Sequence, residues 1–241
     1  EMFDVRERVQ VNEEWIPREE LIYHLTAVRE AIDEMEEEGH ESPTNFEVWT
    51  TLGFLHFQQR QVDLAVIEVG LGGAIDSTNV IDPLFSIITN VSIDHKDYLG
   101  ETVDEIAAVK SGIIKKGRPV ITGSTEEGVL KVIEAAAREA GSRIFRYGLE
   151  FEGLEKSFAS TASSFIFQNP DWEEAVSFSL VGHHQVVNGS MALEAVWLLS
   201  ELGYEIDFRK AIGSMREVFW PGRLEFLEYK GRSVLLDAAH N

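Results

Sequence analysis

Between residues 63 and 147 the chain alternates short runs rich in Val, Ile and Leu with longer stretches of helical apolar spacing, and this alternation restricts the fold more than any other feature. The pattern predicts strands at 63–69, 84–89, 119–122 and 143–147, with helices at about 103–114 and 126–140. Strands joined through helices run parallel, because each connection must cross back over the sheet. The expectation is therefore an α/β fold with a mostly parallel, doubly wound sheet flanked by helices. The run at 63–69 reads as a central strand buried on both faces. Ligands of such sheets lie at the carboxyl ends of the strands.

The flanking segments add to this frame. Residues 18–38 have helical spacing, with Leu21, Leu25, Val28, Ile32 and Met35 on one side. Thr44 and Glu47 form a capping-box pattern that opens a second helix running to about residue 60. From 149 to 180 the pattern changes to short runs around Asn169-Pro170-Asp171, which predicts a small antiparallel subsheet. Helices at 184–202 and 207–215 follow, then paired strands at 223–229 and 233–237.

Composition excludes several classes of function. The chain has 241 residues and 44% hydrophobic content, enough for a core without staples. It has 0 cysteines, which excludes disulfides and thiolate metal sites and leaves the cytoplasm as the expected compartment. No apolar run approaches the roughly 20 residues of a membrane span. A net charge of -21 argues against nucleic acid and anionic membranes as partners. A phosphorylated ligand would have to be held by local amides, a few arginines and metal ions. The acidic segment at 30–41 reads as a solvated helix face and turn.

The chemistry concentrates in a few places. Glu68-Val69-Gly70-Leu71-Gly72-Gly73 delivers a carboxylate from the predicted strand into a glycine turn, where backbone can approach a phosphate closely. Glu68 is either a metal ligand or a carboxylate satisfied by loop amides, and metal ligation is favoured. On its own His95, at a strand exit, reads as a satisfied loop residue; Asp94 beside it could accept the second ring proton or contact a metal-bound water, and the pair points to a metal only alongside Glu68. Lys110 stands in a helix of otherwise small and apolar residues, either as a snorkelling stem or as an amine with a depressed pKa. Asn188 has the amide donor and acceptor that suit an adenine edge, and Arg223 the planar fork that suits phosphate; either could equally cap a turn. No G-x-x-x-x-G-K-S/T run occurs, so the usual phosphate cradle is missing.

In order, Glu7-Arg8-Val9-Gln10-Val11-Asn12, the Glu68 to Gly73 run, Asp76-Ser77-Thr78-Asn79, Asp94-His95, Lys110-Ser111-Gly112-Ile113, His184-Gln185-Val186-Val187-Asn188, Pro221-Gly222-Arg223 and Asp237-Ala238-Ala239-His240-Asn241 resemble the folylpolyglutamate synthase/dihydrofolate synthase family. That family belongs to the Mur ligase superfamily. The resemblance implies the Mur ligase central-domain fold, which is like that of P-loop NTPases. It implies residues 1–237 as an ATP-binding domain without its N-terminal phosphate loop, and 238–241 as the start of a linker to a C-terminal glutamate-binding domain. It also implies ATP, magnesium at two sites, a folate or dihydropteroate, and L-glutamate as ligands, with a monomeric enzyme.

By the same resemblance, Glu68 and His95 are magnesium ligands, and Lys110 becomes carbamylated and helps hold the second ion. Asn188 contacts adenine, Arg223 the phosphates, Asp237 the ribose or the interdomain hinge, and Asp76 lies against the pterin. The chain alone is expected to be inactive. It departs from the family pattern at Ala74, where Arg is usual, at Val109 and Ser111 around the lysine, and at Ala238. Two other readings are a different amino-acid ligase of the superfamily and a non-catalytic binding module.

Overall fold

The computed structural model describes residues 3–92, 99–159 and 161–238. The chain divides into two compact units, Glu1–Ile81 and Asp82–Asn241.

The first unit opens with a 3-10 turn, Val5–Arg8, in which Asp4 and Glu7 close a reciprocal capping box. A two-stranded hairpin follows, β1 (Gln10–Val11) with β2 (Glu14–Trp15). Its two turn residues, Asn12 and Glu13, have φ of 52° and 66°, the left-handed pair that a tight hairpin requires. Helix α1 (Arg18–Glu37) packs on α2 (Asn45–Arg60). The expected capping box is present at the start of α2, with Thr44 Oγ1 accepting from the Glu47 N–H.

His24, Val28, Leu52 and His56 are buried in this helix pair. Burial pushes the His56 pKa below its ordinary value against the pull of the nearby Glu20 carboxylate. Leu25 and Met35, expected on the packed side of α1, are instead exposed. A helix that packs mainly on one neighbour buries only a narrow face.

Residues 63–69 correct the sequence expectation most clearly. The segment forms no strand, and Val66 is 96% exposed. Apolar composition signals a preference for burial, but a strand also needs a ladder partner. Among the described residues this run has none.

The second unit holds the parallel sheet. Strands β3 (Ser86–Ile88), β4 (Val120–Thr122) and β5 (Ile144–Arg146) lie in the order β3-β4-β5, with Ile87, Ile121 and Phe145 in register. Helices α3 (Val103–Ser111) and α4 (Glu127–Glu139) make the crossovers and pack together. Ile88, Ile106, Val120, Val129 and Ile133 form the core they share.

The antiparallel subsheet has three strands, β6 (Glu152–Ala159), β7 (Ala162–Asn169) and β8 (Trp172–Phe178). β6 is absent from the sequence reading because it is a largely exposed edge strand whose polar residues carry no burial signal. Helices α5 (His183–Glu201) and α6 (Phe208–Ser214) cover this sheet around Phe165, Phe167, Val186, Leu193 and Phe208. Strands β9 (Glu225–Tyr229) and β10 (Arg232–Leu236) form the expected hairpin, turning at Lys230 and Gly231. The architecture is mixed α/β, with a three-stranded parallel sheet and antiparallel subsheets. Among the described residues no helix is long and apolar enough to cross a membrane.

Candidate functional site

The glycine loop of the first unit is held by one carboxylate. Asp76 caps the 3-10 turn Ser77–Val80, where its Oδ1 accepts from the Thr78 N–H at 3.0 Å and from the Thr78 hydroxyl at 2.5 Å. Its Oδ2 accepts from the Leu71 N–H at 2.9 Å, which ties the start of the loop to its end. The Asn79 amide donates to the Ala74 carbonyl at 3.0 Å, and the Ser77 hydroxyl lies 2.9 Å from that of Thr50 on α2.

Both carboxylate oxygens of Asp76 thus have structural partners. Leu71 and Thr78, which the sequence reading did not single out as partners, complete the staple; the short Asp-x-Thr spacing was the available signal. Gly72 has φ of 73°, a turn conformation that suits glycine. At Gly70 a Cβ would stand 2.4 Å from Cζ of Phe46, so a side chain there would displace this partly exposed ring of α2.

Glu68 lies just before this loop with an exposed side chain. Because residues 63–69 are not the buried strand expected, Glu68 is no buried carboxylate, and its exposed side chain faces solvent. Among the described residues it has no hydrogen bond or ion pair, so its oxygens are available to a cation. An oxygen donor of this kind fits magnesium. Asp94 and His95 lie outside the described residues.

In the second unit, Lys110 occupies the last turn of α3, which begins with a Thr102–Glu105 capping box. Its side chain is partly buried and has no ion pair among the described residues. Next to it, the buried Ser111 hydroxyl donates to the Ala107 carbonyl at 2.7 Å, and Gly112 caps the helix. Asn188 is exposed two turns into α5, where its amide donates to Gln185 Oε1 at 3.3 Å.

Arg223 and Asp237 come together at the base of the β9–β10 hairpin. The Ala238 N–H donates to the Gly222 carbonyl at 2.7 Å, and the Gly222 N–H donates to Glu225 Oε2 at 2.8 Å. The first bond joins the two chain segments that carry Arg223 and Asp237, both of which are exposed, and the second fixes the turn before β9. The expected pairing of 223–229 with 233–237 already places the two positions at one end of a hairpin; the bond from Ala238 to Gly222 was not readable from sequence.

Known proteins resemble this chain in sequence and fold. The Mur ligase middle domain family matches residues 16–196. A folylpolyglutamate synthase of Lacticaseibacillus casei is 33% identical over 238 residues, covering 98% of this chain and 55% of the relative. A dihydrofolate synthase/folylpolyglutamate synthase of Bacillus subtilis (strain 168) is 34% identical over 246 residues, with the same two coverages of 98% and 55%. A solved folylpolyglutamate synthase–AMPPCP–folate complex superposes with a TM-score of 0.93 at 33% identity, over 99% of this chain and 58% of that one. The chain thus spans about half the length of the curated relatives it matches.

Proposed function

The chain belongs to the Mur ligase middle-domain family, and from that membership we propose that it serves an ATP-dependent ligase joining L-glutamate to dihydropteroate or to a folate. The observation that carries this reading is similarity across 98% of the chain to a folylpolyglutamate synthase.

In the proposed reaction the substrate carboxylate attacks the γ-phosphorus of ATP and ADP leaves, giving an acyl phosphate. The glutamate amine then attacks the acyl carbon, phosphate departs, and the amine loses a proton as the amide forms. Residues 1–237 act as the ATP-binding domain. Asn188 meets the adenine edge, Arg223 pairs with phosphate oxygens, and Asp237 lies at the ribose or the hinge. The loop stapled by Asp76 lies against the pterin.

Glu68, His95 and carbamylated Lys110 would hold magnesium at two sites, and bound magnesium offsets charge on the transferring phosphoryl group. Carbamylation adds the neutral Lys110 amine to the carbon of carbon dioxide and releases one proton, leaving a carbamate anion at the partly buried end of α3. Excluding water around the acyl phosphate limits hydrolysis, which competes with the amine. The protein works as a monomer in the cytoplasm, with small molecules as its partners.

The reading is tested in a ligation-competent protein containing these 241 residues. Dihydropteroate, tetrahydrofolate and a nucleotide-sugar peptide are each supplied with ATP and labelled glutamate. Amide product with either pterin substrate supports it; product with the nucleotide-sugar peptide alone overturns it. Lys110→Arg is expected to be inactive, and Lys110→Ala to recover part of its turnover in acetate. Full activity of Lys110→Arg contradicts carbamylation.

A further inference from the structure

We propose that Glu20, His24 and His56 form a binding site for a zinc-type divalent cation that clamps α1 to α2, using none of the residues assigned to ligation. Glu20 and His24 stand four residues apart on α1 and so project from the same face, while His56 comes from α2. One ligand atom from each lies within 4.8 Å of the other two. His24 and His56 are only 4% and 1% exposed.

Their hydrogen bonding points to a missing partner. Glu20 Oε2 lies 3.1 Å from His56 Nδ1, but off the line along which that nitrogen could donate. By geometry neither atom makes a hydrogen bond, and the same holds for His24 Nε2, although the Glu20 carboxylate still attracts the His56 ring. A buried polar atom without a hydrogen bond is destabilising, so three of them converging is a costly arrangement for a histidine pair that serves packing alone.

A shared cation would satisfy all three. At zinc bond lengths of about 2.0–2.2 Å, tetrahedral ligand atoms stand about 3.3 Å apart, close to the Glu20–His56 separation. The two imidazoles meet edge to face, with centroids 6.1 Å apart and planes at 78°, so they do not stack. Glu20 Oε1 accepts from Arg60 Nη1 at 3.3 Å, a bond that orients the carboxylate as an outer partner of a metal ligand does. Of the three residues, His24 also lines a surface cavity, together with Tyr23, Ala27, Leu55, Gln58 and Gln59. Two imidazoles and one carboxylate suit zinc and its neighbours in the transition series, whereas magnesium favours oxygen donors throughout.

The test is calorimetric titration of the full chain with Zn2+ in excess Mg2+, with Co2+ as a spectroscopic probe. One Zn2+ per chain, a rise in melting temperature and visible Co2+ absorption of tetrahedral type are expected. Glu20→Gln, His24→Leu and His56→Phe should each weaken Zn2+ binding by about tenfold or more, while His40→Ala and His183→Ala leave it unchanged. Glu20→Gln keeps the side-chain shape, so the comparison survives if a histidine variant fails to fold. Absence of saturable Zn2+ binding, or binding that Glu20→Gln leaves intact, overturns the proposal.

Discussion

Two runs of similar composition end in opposite environments. Ala65-Val66-Ile67 lies outside any sheet with Val66 96% exposed, whereas Val120-Ile121-Thr122 forms β4 with all three residues at 0%. β4 is flanked by parallel partners on both edges and covered by crossover helices, so its backbone and side chains are satisfied together. Residues 63–69 have no ladder among the described residues. Hydrophobic content therefore does not decide burial by itself; sheet partners on both edges together with covering helices bury β4.

The same contrast separates two carboxylates. Glu68 is exposed, and no burial forces it to find a partner. Glu194 on α5 is 1% exposed, and burial pushes its pKa up to about 7 although the Asn169 amide donates to it at 3.0 Å.

The largest expected effect lies in β4. Ile121→Ala should cost about 2–5 kcal/mol through lost burial and a residual cavity, whereas Val66→Ala should change stability by no more than about 0.5 kcal/mol. Urea unfolding of both variants checks this, and equal costs would break the contrast.

Next comes Glu194→Gln. The folded pKa of Glu194 lies above its unfolded value, so its contribution is fully present below about pH 4.5 and is lost as pH rises through 7. The variant should therefore gain on the parent over that interval, by up to about 3 kcal/mol above neutrality. A stability difference that does not vary with pH would contradict a buried carboxyl. The smallest effect is at the glycine loop, where Asp76→Ala should cost about 1–2 kcal/mol and raise amide exchange at Leu71 and Thr78. Unchanged exchange there would show that the loop is held by something other than this carboxylate.

Sequence carried much of the fold where local rules agree. Thr44 and Glu47 open α2 as their spacing requires, and the alternation of residues 84–147 yields β3, β4 and β5 with their helices. It failed where partners decide. β6 is hidden by its exposed polar residues, and the β1–β2 turn depends on left-handed backbone at Asn12 and Glu13, residues without glycine's freedom. At the candidate site, the residue types at Glu68, Lys110 and Arg223 were legible. The staple from Asp76 to Leu71 and the bond from Ala238 to Gly222 were not, because each depends on how the chain folds back.

Glu68 gives the most direct test of the account. In a ligation-competent protein containing this chain, labelled-glutamate incorporation is measured for the parent and for Glu68→Gln, with urea unfolding as a check on stability. The proposed magnesium role of Glu68 predicts turnover lower by on the order of 100-fold, with stability unchanged because the side chain is exposed. Near-parental turnover by Glu68→Gln would contradict the account.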